Sequence, residues 1–93
     1  MNSPWTSGSC AVEGQVALHY RWRNMPGNAT GGLVLIHSLG LDGSLWNETL
    51  ALLPSSLPVL VYDCRGHGRS RASVGNYTVE LFARDLARLL DHV

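Results

Sequence analysis

The chain has 93 residues, which is the size of one domain or of part of one. Its 7 Lys and Arg residues balance its 7 Asp and Glu residues, so a nucleic-acid binder, which needs a surplus of cationic side chains, is not expected. Hydrophobic residues make up 45%, enough for a packed core, and no apolar run reaches the length of about 18 residues that a membrane span needs.

Residues 1–9 (MNSPWTSGS) are mostly polar and predict a mobile tail. This segment has neither the positive charge nor the apolar stretch of a secretory signal, so we expect a cytoplasmic protein. A β-hairpin is predicted over residues 10–13 and 16–23, because apolar and polar side chains alternate in its second segment. Residues 24–32, rich in Gly, Asn and Pro, are a predicted loop.

Two short apolar runs, residues 33–37 (LVLIH) and 59–63 (VLVYD), are typical of strands that are buried on both faces, as in a parallel sheet. Residues 44–53 between them predict a helix with Ser44 as its N-cap. The clearest predicted helix covers residues 78–93, with Thr78 as its N-cap. Its apolar stripe consists of Val79, Phe82, Leu86, Leu89, Leu90 and Val93.

This order of hairpin, strand, helix, strand and helix predicts an α/β fold with a mostly parallel sheet. The last helix stops at Val93 while its apolar stripe is still running and without a Gly or Asn cap. We therefore expect residues 10–93 to be the N-terminal portion of a larger, here incomplete, domain.

Polar and glycine residues follow both buried strands, at residues 38–43 (SLGLDG) and 65–70 (RGHGRS). Ligands of open α/β sheets bind at the carboxyl ends of the strands, so these two loops are the first candidates for a functional site. The two cysteines, Cys10 and Cys64, cannot form a disulfide framework, and Cys64 is expected to be a buried, reduced thiol. No further ligands at short spacing accompany them, so no zinc or other metal site is expected.

The segments LVLIHSLGLDGSLW, VLVYDCRGHGRS and YTVELFARDLARLL resemble the N-terminal part of the α/β-hydrolase fold family, over about residues 12–93. The more specific of the shared motifs is the run D-x-R-G-x-G-x-S, a structural loop motif formed here by Asp63, Arg65, Gly66, Gly68 and Ser70. The arrangement S-L-G-x(5)-W is similar to that of 3-oxoadipate enol-lactonases; it consists of Ser38, Leu39, Gly40 and Trp46.

This resemblance implies that the loop after the first buried strand, with His37, Ser38 and Gly40, supplies one backbone N–H of an oxyanion hole. The usual family motif is His-Gly-x, and the donor that follows its Gly matches Leu39, although Ser38 stands where Gly is common. Trp46 is expected in the core or in the pocket wall. The implied reaction is hydrolysis of a small ester or enol-lactone by a serine nucleophile, without a cofactor.

The catalytic triad is expected to be missing from this chain. No serine lies in the nucleophile motif G-x-S-x-G; the nearest match, around Ser70, does not lead into a helix start. The resemblance places the nucleophile shortly after Val93, followed by the acid and the catalytic His. His37 and His67 are therefore expected to be hydrogen-bonded loop residues, and Asp63 to accept loop N–H groups or to pair with Arg65. We expect the chain alone to be inactive.

Two alternatives come from other classes of protein. The chain could be a non-enzymatic interaction fragment that is marginally stable by itself and associates through the bare edge of the strand at residues 33–37. A dinucleotide binder also begins with strand, glycine loop, helix and a strand ending in Asp63, but the G-x-G-x-x-G fingerprint is absent.

Overall fold

A computed structural model describes residues 5–14, 16–24, 31–38, 40–70 and 77–93. In chain order, the structure has β1 (Thr6–Glu13), β2 (Val16–Arg23), β3 (Leu33–Ile36), a 3-10 helix (Gly43–Trp46), α1 (Asn47–Leu52), β4 (Val59–Tyr62) and α2 (Val79–His92). The predicted order of elements is thus confirmed, and the fold is α/β.

The four strands form one sheet in the order β1-β2-β4-β3. Strand β3 pairs with β4 in parallel, while β1 pairs with β2 and β2 with β4 in antiparallel fashion. The sheet is therefore mixed within the described residues, not mostly parallel as predicted. The reason is that the hairpin joins the parallel pair through β2, which runs opposite to β4.

Strand β1 begins at Thr6, so the predicted mobile tail is wrong for residues 6–9. The backbone of this polar stretch pairs with β2 from Trp22 to His19. Trp5 precedes it and stacks against two cations of β2, with its ring centre 4.9 Å from Cζ of Arg21 and 5.3 Å from Cζ of Arg23. Backbone pairing needs no apolar side chains, and the sequence pattern therefore did not show this part of the strand. Residues 1–4 lie outside the described residues.

The first helical segment is capped by Asp42 and not by the predicted Ser44. A carboxylate oxygen of Asp42 accepts the Ser44 N–H at 2.8 Å, and the Ser44 hydroxyl also donates to it. These hydrogen bonds with Ser44 lower the pKa of Asp42. The tight 3-10 turn that follows reaches Trp46, and α1 then ends at Leu52, shortly before Pro54.

Each face of the sheet has its own apolar cluster. On one face, α2 packs against the hairpin and β4, with Leu18, Leu60 and Leu89 fully buried. On the other face, α1 packs against β3 and β4 through Leu35, Leu50, Val59 and Val61, and Trp46 packs beside them. Even residues of β2 thus face α2 and odd residues of β3 face α1, as the alternation of strand side chains requires.

The predicted N-cap of α2 is confirmed, because the Thr78 hydroxyl accepts the Leu81 N–H at 3.1 Å. We expect Thr78→Ala to lower the free energy of unfolding of the native gene product by about 1 kcal/mol, since one orphan helical N–H loses its partner. Thr49→Ala makes the same chemical change at an exposed position inside α1 and is expected to stay within about 0.5 kcal/mol. Equal losses for both variants in urea unfolding would contradict the capping role.

Candidate functional site

The loops that follow β3 and β4 meet at one end of the sheet. Strands β3 and β4 are parallel and in register from Leu33 opposite Val59 to Ile36 opposite Tyr62, so their carboxyl ends lie side by side. Residues 37, 38 and 40, called the β3 loop below, therefore lie beside residues 63–70, called the β4 loop. They overlap the two stretches, residues 38–43 and 65–70, that the sequence predicts as candidates for a functional site.

His37 links the β3 loop to the start of the β4 loop. Its side chain is buried, and its Nε2 accepts the Cys64 backbone N–H at 2.8 Å. Nδ1 lies 2.8 Å from the Ser38 carbonyl oxygen. Because Nε2 accepts, it carries no proton, so the neutral ring has its proton on Nδ1 and donates it to Ser38. The Leu41 N–H donates to the same carbonyl at 3.1 Å.

Of the predicted oxyanion loop, the structure describes His37, Ser38 and Gly40 but not Leu39, the predicted donor. Gly40 has a φ of +82°, in the left-handed region that favours glycine, and apart from its chain neighbours no atom of the described residues lies within 4 Å of where its Cβ would be. The glycine at this position therefore serves the backbone conformation and not a close approach.

Asp63 ties the β4 loop to the 3-10 helix. One of its carboxylate oxygens accepts the Gly43 N–H at 2.7 Å, and the other accepts the Arg69 N–H at 2.9 Å. The sequence suggested that Asp63 either accepts loop N–H groups or pairs with Arg65, and in the structure it accepts loop N–H groups. The carboxylate is buried and has two strong donors, which makes it a structural bridge.

Gly68 packs directly on this bridge. Its φ is +51°, and a Cβ there would lie 2.5 Å from a carboxylate oxygen of Asp63. We expect Gly68→Ala to destabilise the native gene product by about 1–2 kcal/mol more than Gly14→Ala, because overpacking adds to backbone strain. Gly14 is a matched control, since its φ is +48° but, its chain neighbours aside, no atom in the described part of the chain lies within 4 Å of its Cβ position. Equal losses in thermal unfolding would show that Asp63 does not restrict this position.

Arg65 crosses from the β4 loop into the core between α2 and the hairpin. Its side chain is 2% exposed and makes two hydrogen bonds to Asp85 of α2, Nη2–Oδ1 at 2.8 Å and Nε–Oδ2 at 3.0 Å. A third bond joins Nη1 to Oε1 of Glu13 at 3.1 Å. The bonds to Asp85 are the main cause of the raised pKa of Arg65. Sequence reasoning missed Asp85, although its place three residues after Phe82 and four before Leu89 puts a carboxylate on the apolar face of the helix.

The serine and histidine side chains of the loops are not arranged as a nucleophile and its base. The Ser70 hydroxyl donates to the Asp63 carbonyl and accepts the His19 N–H at 2.8 Å. Its hydrogen atom and its oxygen are therefore both hydrogen-bonded to backbone groups. Nδ1 of His67 lies 2.9 Å from the Arg65 carbonyl oxygen. Within the described part of the chain, no hydrogen bond joins a serine hydroxyl to a histidine ring.

The cysteines do not offer an alternative nucleophile. Cys10 and Cys64 are both free and buried, as the sequence predicts for Cys64. Burial is the main cause of the raised pKa of each thiol. Since the thiolate is the reactive form, both side chains are held in their less reactive state.

The described residues offer neither a metal site nor a membrane-spanning helix. No group of three or more His, Cys, Asp or Glu side chains is placed to hold a metal ion there. Nor does any helix of that part of the chain have the length and apolar character to cross a membrane.

A cavity of about 370 Å³ lies on the α1 side of the sheet, between Arg21, Asn47 and Arg69, and its lining does not include His37 or Ser38.

Comparison with known proteins relates the chain to one family. A family model described as "Alpha/beta hydrolase family" matches residues 33–93. The chain is 38% identical over 61 residues to 3-oxoadipate enol-lactonase 2 of Acinetobacter baylyi, covering 66% of this chain and 23% of that protein. It is 40% identical over 77 residues to the putative carbamate hydrolase RutD of Variovorax paradoxus, covering 80% of this chain and 28% of that protein.

Solved structures show the same relation. A hydrolase from Pseudomonas aeruginosa superposes with a TM-score of 0.80 at 31% identity, over 92% of this chain and 32% of that one. The enol-lactonase from Burkholderia xenovorans superposes with a TM-score of 0.75 at 39% identity, over 88% of this chain and 32% of that one. The chain thus spans about a quarter of the curated relatives' length and about a third of the solved structures'.

Proposed function

Because the chain belongs to the alpha/beta hydrolase family, we propose that it is the N-terminal part of a serine-nucleophile hydrolase that acts on a small ester or enol-lactone. In this proposal residues 1–93 supply the oxyanion-binding side of the site through the backbone N–H of Leu39. The nucleophile, the acid and the catalytic His belong to residues outside this sequence.

The observation that carries the proposal is the place of the β3 loop at the open edge of the sheet. Leu33 donates its N–H, at 2.9 Å, to the carbonyl of Pro58, the residue directly before β4. In a strand of a parallel pair, the N–H and the C=O of one residue point to the same side, and successive residues alternate between the two sides. Because Leu33 points toward β4, the N–H and C=O groups of Val34 and Ile36 point away from it. No described strand pairs on that side. A further parallel strand added there would end beside the β3 loop and bring its nucleophile to the donor.

The chemistry of this donor fits acyl transfer to water. Attack of a hydroxyl on an ester or lactone carbonyl converts the carbonyl oxygen into an oxyanion. A backbone N–H that points at this oxygen stabilises the transition state by about 3–4 kcal/mol and places no demand on the side chain. Two relatives named as enol-lactonases favour a cyclic enol ester as substrate. The relatives named as carbamate hydrolases indicate a carbamate as the second candidate, attacked by the same route.

The proposal is tested by comparing the 93-residue chain with the native gene product from its own cells. Both are assayed for hydrolysis of p-nitrophenyl acetate and of an enol-lactone. We expect turnover by the native product and none by residues 1–93 alone, because the chain holds the donor but no nucleophile. Turnover by the purified chain, or none by a folded native product, would overturn the proposal.

A cytoplasmic location is also part of the proposal, supported by the two free thiols, since a reducing compartment keeps cysteines unpaired.

The alternative is that the chain is a non-enzymatic fragment that self-associates through the edge of β3. It predicts that the chain forms oligomers, which sedimentation would detect. The family match gives no support to the alternative that the chain binds a dinucleotide.

A further inference from the structure

We propose that a second cavity on the α1 side of the sheet binds a small organic acid, whose carboxylate pairs with Arg21 and Arg23. This cavity of about 320 Å³, called the arginine pocket below, adjoins the larger cavity through Arg21 and Asn47, which line both. It shares no lining residue with the β3 loop or the β4 loop. The lining consists of Trp5, Arg21, Arg23, Asn47, Leu50 and Ala51.

The two arginines reach the pocket from one strand. Residues 21 and 23 of β2 are two apart, so their side chains start about 6.6 Å from each other on the same face of the sheet. The ring centre of Trp5 lies 4.9 Å from Cζ of Arg21 and 5.3 Å from Cζ of Arg23. One aromatic ring thus holds two like charges side by side, at a spacing that a single carboxylate can bridge.

The positive charge of this pair has no carboxylate partner in the chain. Within the described residues, the ion pairs are those of Arg65 with Asp85 and Glu13. The other residues of the sequence, at positions 1–4, 15, 25–30, 39 and 71–76, include neither Asp nor Glu. No acidic side chain of this sequence therefore balances the charges of Arg21 and Arg23.

Burial makes this lack of a partner important for Arg23. The residue is 7% exposed, and its Nε is buried without a hydrogen-bond partner among the described residues. Its Nη2 donates to the Pro54 carbonyl at 3.1 Å, which ties β2 to the end of α1. A guanidinium has five N–H donors, and burying its charge is unfavourable unless an anion compensates it. An anionic ligand in the arginine pocket would supply that compensation.

Arg21 is held in place by a neutral partner. Its Nη2 donates to Oδ1 of Asn47, the first residue of α1, at 2.7 Å. This bond orients the guanidinium but leaves its charge without an opposite one. Because the side chain is already ordered, binding of an anion there costs little conformational entropy.

The other walls favour an organic acid over an inorganic anion. Trp5, Leu50 and Ala51 give the pocket apolar surface beside the two cations. A carboxylate matches the planar fork of a guanidinium, and an apolar chain attached to it would cover these walls. The volume is at the lower end of the range of small-molecule sites, about 300–1,000 Å³. We therefore expect a carboxylic acid with a short apolar chain.

The test uses hexanoate as the probe and the ¹⁵N-labelled native gene product. At constant ionic strength, hexanoate is expected to shift the indole N–H signal of Trp5 and the Nε–H signal of Arg23, and the shifts should saturate. Acetate should bind at least about tenfold more weakly, because its chain is too short to cover the apolar walls. Equal affinities for the two acids would contradict the assignment to an organic acid.

Two variants each remove one guanidinium, Arg21→Met and Arg23→Met. Each is expected to raise the Kd for hexanoate by about tenfold or more, because a hydrogen bond between charged groups is lost. Arg84→Met is the matched control, since it removes the same charge from an exposed position of α2, on the other face of the sheet. Its Kd should equal that of the wild type. If Arg23→Met fails to fold, Arg21→Met still decides, because its bond to Asn47 is exposed.

An unchanged Kd in folded Arg21→Met, or an equal loss in Arg84→Met, would overturn the site. The absence of any shift at Trp5 would also overturn it, including the case in which a carboxylate from residues outside this sequence fills the pocket. Hydrolysis is not part of these measurements. A native product that binds hexanoate at Trp5 but has no esterase activity would therefore overturn the proposed function alone.

Discussion

Replacing Asp85 by Ala is expected to lower the free energy of unfolding by about 3–5 kcal/mol, because it leaves a buried guanidinium without its main partner. The side chains of Arg65 and Asp85 are each 2% exposed and make two hydrogen bonds to each other. A loss of this size is a large part of the about 5–15 kcal/mol that holds an ordinary domain folded. Chemical unfolding of the native gene product measures it.

Glu13→Ala is the matched control, because Glu13 binds the same arginine at 3.1 Å but its side chain is 54% exposed. An exposed pair contributes about 0–1 kcal/mol, so this variant should remain close to wild type. The double variant Arg65→Met/Asp85→Leu removes both charges and should unfold less readily than Asp85→Ala. Equal losses for Glu13→Ala and Asp85→Ala would contradict the view that burial makes this pair important.

Leu39→Pro is expected to reduce kcat for ester hydrolysis by about 10²–10³-fold in the native gene product, because proline has no backbone N–H to donate. The interaction forms only as the oxyanion develops, so KM should change little. Steady-state assays with p-nitrophenyl acetate measure both constants.

Leu39→Ala is the control for this variant, since it shortens the side chain but keeps the N–H. We expect its kcat to stay within about tenfold of wild type, which corresponds to a change of no more than 1.4 kcal/mol in the barrier. Thermal unfolding of both variants separates a lost donor from a lost fold. If folded Leu39→Pro kept its full kcat, the oxyanion donor would have to be sought elsewhere.

The sequence predicts the fold wherever one pattern decides the structure. The apolar runs of β3 and β4 and the Thr78 cap of α2 were placed from the sequence to within a residue. The polar beginning of β1 could not be predicted from the sequence. It pairs with β2 through backbone hydrogen bonds, which no side-chain pattern shows. The cap of the first helical segment was missed by two residues, since Ser44 and Asp42 both have capping side chains and only the turn decides between them.

The sequence predicts that the two candidate loops lie at the same end of the sheet, but not which contacts join them. Strand ends and motifs placed the two loops, because parallel strands bring their carboxyl ends together. The contact of His37 with the Cys64 N–H spans 27 residues, and that of Arg65 with Asp85 spans 20. The first contact depends on the pairing of β3 with β4 and the second on how α2 packs on the sheet, and no local spacing determines either.

In the proposed function, residues 1–93 supply the oxyanion side of a serine hydrolase whose nucleophile belongs to another part of the protein. Labelling the native gene product with a fluorophosphonate, followed by peptide mass spectrometry, tests it most directly. We expect a single labelled serine in a peptide beyond Val93, with Ser38 and Ser70 unmodified. A labelled serine within residues 1–93, or a native product with esterase activity whose chain ends at Val93, would contradict it.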